Sequence, residues 1–80
     1  MLNKHIARAI AGTAIFLEFS PEELLDPDAA IAAMEQLSAE LQLTPDSVKA
    51  ELVFAFKEIS SEYGEKSAFV AGLADSLGLT

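Results

Sequence analysis

Eighty residues without a cysteine leave room for one folded core and exclude disulfides and thiolate metal sites. Thirteen acidic against five basic residues give a net charge of -8, which repels phosphate backbones, excludes nucleic acid as the expected partner and favours encounter with a basic protein. Apolar residues make up 51% of the chain, alanine is the commonest of them and aromatics are few, a balance that favours closely packed helices over a sheet.

The absence of cysteine agrees with a reducing, cytoplasmic compartment. A domain this small hides only roughly 60 to 65% of its unfolded surface, so a homodimer is a second way for it to gain stability.

The charge is uneven along the chain. Residues 1–17 carry Lys4 and Arg8 and no acid, for +2, whereas residues 18–80 carry three bases and thirteen acids, for -10. A basic start followed by the uncharged stretch from Ala9 to Leu17 resembles a targeting or membrane segment in outline only. Nine residues are too few to span a bilayer, and Glu18-Phe19-Ser20 is not a cleavage site of small residues. The expectation is an ordinary first helix, with no membrane partner and with its cations paired inside the fold.

That helix is expected over about residues 3–19, with Leu2, Ile6, Ile10, Thr13 and Leu17 on one stripe and Phe16 at its edge. Thr13 to Phe19 has strand-like composition, yet nothing else in the chain offers a strand to pair with it. Ser20-Pro21-Glu22-Glu23 carries the signature of a capping box and opens a short turn to Leu25. Asp26-Pro27-Asp28 starts a second helix, about 27–42, aligning Ala30, Ile31, Met34, Leu37 and Leu41. Thr44-Pro45-Asp46 starts a third, about 45–63, aligning Val48, Leu52, Phe56, Ile59 and Tyr63, and Gly64 stops it. A fourth, about 67–77, aligns Phe69, Val70, Leu73 and Leu77 and ends at Gly78, a left-handed cap position whose hydrophobic contact Leu79 supplies. The predicted fold is all-α: a single domain over residues 1–80, a compact antiparallel bundle of about four helices with short proline-initiated connections.

Little in this pattern points to catalysis. His5 is the only histidine, so neither a histidine metal cluster nor a relay needing a second histidine can be built. Glu22, Glu23, Asp28 and Asp46 serve helix starts, and Glu58, Glu62 and Glu65 form a surface run. No calcium-loop spacing and no glycine-rich phosphate loop is present. The expectation is a protein that is not an enzyme and carries no metal.

Apolar residues off the core stripes are the sharper signal. Ile15 and Phe19 project on the side of Arg8 and Gly12, and Phe54 projects nearly opposite Leu52 and Phe56, among Ala50, Lys57 and Ser61. Each either fills a second helix contact or belongs to an interaction surface. The leading functional expectation is a non-catalytic protein-protein interaction module that binds a basic partner or a copy of itself. Its candidate contact residues are Phe54, Ile15, Phe19, Glu58 and Glu62.

The alternative comes from a local resemblance. Asp46-Ser47-Val48, followed by Glu51-Leu52-Val53 and closing at Glu62-Tyr63-Gly64, resembles the second helix of acyl carrier proteins. There an Asp-Ser-Leu motif starts a helix and its serine carries phosphopantetheine. The resemblance covers about twenty residues and implies Ser47 as the attachment site. The Glu-Leu pair lies one residue closer to the serine than in that family, and Pro45 replaces a small residue.

Overall fold

The computed structural model describes residues 3–80. The order is α1 Lys4–Phe19, α2 Pro27–Gln42, α3 Asp46–Ile59, a 3₁₀ segment Ser60–Lys66, α4 Ser67–Ala71 and α5 Leu73–Ser76. The protein is all-α, three long helices followed by a broken fourth.

Each boundary follows from its sequence. Asn3 caps α1, its side-chain oxygen accepting the His5 amide at 2.7 Å, and Ser20 ends the helix in an extended conformation imposed by the following Pro21. Residues 21–25 make a single turn, the Leu24 and Leu25 amides donating to the Pro21 carbonyl. The capping box expected here does not form, because one turn gives Glu23 no helix to cap and Ser20 serves as the end of α1. Asp26 caps α2 by accepting the Ala29 amide at 3.1 Å, with Pro27 in the first turn. Before α3 the Thr44 hydroxyl donates backward to the Leu41 carbonyl at 2.6 Å, so it closes α2 rather than opening α3.

Past Ile59 the third helix tightens and breaks at Gly64, whose φ of 54° and ψ of -119° suit glycine alone. The last helix is interrupted at Gly72. At its end Gly78 adopts φ 71°, the Leu79 amide bonds the Ala74 carbonyl and the Gly78 amide bonds the Asp75 carbonyl, while Leu79 is buried. This is the expected left-handed cap with its hydrophobic contact.

The core lies between α1, α3 and the α4–α5 arm. It holds Leu52, Phe56 and Ile59 of α3 with Val70, Leu73 and Leu77, and α1 contributes three alanines, Ala7, Ala11 and Ala14. The stripe expected to be α1's core face is therefore largely displaced, although Ile10 of that stripe packs against the core. Ile6 and Phe16 are 51% and 54% exposed, Thr13 is exposed, and Leu2 lies outside the described residues. Alanines at spacings of four and three let the α1 backbone approach α3 closely, and the large side chains of α3 and α5 supply the volume instead.

The second helix packs at the margin. Ala30 is its only buried residue; Met34, Leu37 and Leu41 are half-buried against the core, and Ile31 is 60% exposed. Its C-terminal half is latched to the chain end, where the Ser38 hydroxyl and the Gln42 amide both donate to the Leu77 carbonyl, at 2.7 and 3.1 Å. The radius of gyration is 12.3 Å, slightly above the roughly 11.6 Å expected for a chain of this length.

Candidate protein-binding surfaces

Of the five basic residues, Lys4, Arg8, Lys49 and Lys66 are engaged within the fold, and Lys57 is exposed on α3. Arg8 reaches across from α1 to the 3₁₀ segment, its Nε and Nη2 donating to the two oxygens of Glu62 at 2.9 Å each. Lys4 Nζ lies 3.2 Å from Glu58, and Lys49 lies 3.8 Å from Asp46. The forked hydrogen bond from Arg8, reinforced by the charges of Arg8 and Lys4, holds the Glu62 carboxyl below its ordinary range. The same bond raises Arg8 above its already high value. Glu58, Glu62 and Glu65 are exposed, as the expected surface run requires, with Glu58 and Glu62 tied to the first helix, whose cations pair within the fold as expected.

The remaining sequence candidates fall at separate places. Phe54 is 66% exposed, on the rim of a groove of about 620 Å³ between the start of α1 and α3. One wall of the groove carries Lys4, His5 and Arg8, the other Glu51 and Glu58. The inner face of α3 is already filled by Leu52, Phe56 and Ile59, so Phe54 serves no second core contact. Ile15 packs against the core and is not an open anchor. Phe19 is about half exposed but engaged: its ring meets Phe69 edge-on, centroids 5.1 Å apart, and Lys66 sits 5.0 Å from its centroid. Ser47 is exposed in the first turn of α3, and the segment preceding that helix, a long loop in acyl carrier proteins, is here the helix α2.

A second surface escaped sequence reasoning. The C-terminal end of α1, the turn after it, α2 and Phe69 enclose a cleft of about 500 Å³. Leu17, Leu25, Ala30, Ile31 and Met34 line it with Phe69, and Glu18 and Glu35 stand among them. Its parts come from several elements, so no single helical projection could reveal it. One signal was present in the sequence: no Lys or Arg occurs between Arg8 and Lys49, while eight acids, Glu18, Glu22, Glu23, Asp26, Asp28, Glu35, Glu40 and Asp46, fall there. Among the described residues, Asp46 pairs with Lys49 and none of the other seven carboxylates is in an ion pair.

Among the described residues, no helix is long and apolar enough to cross a membrane, and no group of three or more histidines and acids is placed to hold a metal ion. Comparison with protein-family models, curated proteins and solved structures yields no match to this chain.

Proposed function

We propose that the chain is a non-catalytic protein-interaction module that binds a basic protein partner. The observation that carries this reading is the segregation of charge. Lys4, Arg8 and Lys49 are engaged in ion pairs and Lys66 covers a phenyl ring. The surface from Glu18 to Glu40 is left purely acidic, with Leu24 and Ile31 exposed within it. Such a field accelerates encounter with a cationic surface, and the apolar side chains supply contact area once the partner arrives.

The test is capture from a lysate of the native organism on two baits, the wild-type chain and a variant with Glu22, Glu23, Asp26 and Asp28 replaced by their amides. A basic protein held by the wild type at low salt and lost from the variant supports the reading; equal retention by both contradicts it.

Self-association is the second reading, and Phe54 favours it. The ring is exposed beside its groove, so a two-fold pairing would bury it against its copy. Light scattering tests it: a dimer that Phe54→Ala converts to monomer supports this reading, and a wild-type monomer at high concentration removes it.

A further inference from the structure

We infer that the cleft between the end of α1, α2 and Phe69 is a docking groove for a cationic amphipathic helix, whose apolar face enters the cleft and whose lysines or arginines meet Glu18 and Glu35. The inference rests on the basic-partner reading above and adds the place on this chain and the form of the partner.

Three features of the cleft argue for this occupant. First, apolar side chains from three helices and a turn line it, Leu17 of α1, Leu25 of the turn, Ile31 and Met34 of α2 and Phe69 of α4. A groove of this kind accepts the i, i+3 and i+4 side chains of a helix, and an unbranched methionine adapts to whichever side chain arrives. Second, the charged side chains that line it, Glu18 and Glu35, are both acidic. They belong to the seven acids from Glu18 to Glu40, and α1 ends here with no basic residue in its last turn, so its carbonyl end adds to the negative potential. The N-terminal end of α2, which points the other way, is already offset by Asp26 and Asp28. Third, the alternatives are poorly matched. A second copy of this chain would bring a net charge of -8 to an acidic rim, and with its Lys4, Arg8, Lys49 and Lys66 occupied it would offer Lys57 alone. An anionic amphiphile would meet the same repulsion.

The experiment uses the full chain and a labelled amphipathic peptide of leucine and lysine, about 18 residues or five helical turns long. The controls are a scrambled peptide of the same composition and an oligolysine of the same charge. Fluorescence anisotropy measures affinity, and methyl chemical-shift changes locate the contact. The expected result is binding of the amphipathic peptide about tenfold or more tighter than of the scrambled one, the difference being that of placing a large apolar side chain in the cleft. Shifts should concentrate on Leu17, Leu25, Ile31 and Met34, and Ile31→Ser and the pair Glu18→Gln with Glu35→Gln should each weaken binding. Ile31 is exposed, so its substitution leaves folding intact.

Equal, salt-sensitive binding of amphipathic and scrambled peptides would overturn the cleft as a helix site while leaving the basic-partner reading standing. Shifts around Phe54 instead of Met34 would overturn it in the same way. No binding of either peptide or of oligolysine at low salt would overturn both.

Discussion

Replacing Phe54 with alanine separates a surface side chain from a core one by magnitude alone. At 66% exposure, Phe54 hides about a third of the roughly 200 Å² an aromatic side chain can bury, or about 70 Å², worth about 1.7 kcal/mol at 25 cal/mol per Å². Alanine's better helix propensity returns about 0.5 kcal/mol, leaving a net loss of about 1 kcal/mol and a fall of about 4–8 °C in Tm. Phe56, two residues on, is fully buried, and its truncation should cost about 3–5 kcal/mol, a large part of the roughly 4–12 kcal/mol available to a chain of this size. Thermal and urea unfolding of both variants, followed by far-UV circular dichroism, measures the pair. A loss of about 3 kcal/mol or more in Phe54→Ala would place the ring in the core and remove it from any interaction surface.

The close approach of α1 to α3 predicts that Ala11→Leu destabilises by about 1–3 kcal/mol or more through overpacking, read from the urea midpoint, since Ala11 is wholly buried; a neutral or stabilising result would mean that α1 does not pack through its alanines. Because the folded-state Glu62 carboxyl is held below its ordinary value by Arg8, the pair stabilises at pH above the ordinary carboxylate range and loses its contribution as pH falls through that range toward the lowered value. Glu62→Gln should therefore melt below the wild type at neutral pH, the gap closing in acid and narrowing in high salt; a gap independent of pH would refute the assignment. Arg8 stays protonated throughout and opens no second pH window. Incubation with coenzyme A and a phosphopantetheinyl transferase should leave the intact mass unchanged. A gain of one prosthetic group, abolished in Ser47→Ala, would instead establish the carrier reading.

The helix ends were legible because they depend on neighbours in sequence. Asp26-Pro27 and Gly78-Leu79 act as read, since a cap needs only a side chain or a glycine next to the helix it closes. Thr44 misled for the same reason, having a carbonyl of the preceding helix within reach as well as an amide of the next. The face of α1 was not legible, because periodicity finds the largest apolar stripe, whereas the packed face is the one that fits its neighbour, here Ala7, Ala11 and Ala14. Among the site candidates, Phe54 lies opposite the α3 core face, as helical projection of that one helix indicates. The engagement of Phe19 by Phe69 and Lys66, and of Glu58 and Glu62 by the first helix, depends on partners 47 to 54 positions away in the chain. The cleft lies between elements and shows in the sequence only as a long segment without lysine or arginine.

The most direct test of the central claim is the salt dependence of partner capture by the wild-type chain and by the variant lacking the Glu22, Glu23, Asp26 and Asp28 charges. The account predicts a basic protein retained by the wild type at low salt, released as salt is raised and not retained by the variant. Retention of no basic protein, or of the same protein by both baits at every salt concentration, would contradict it.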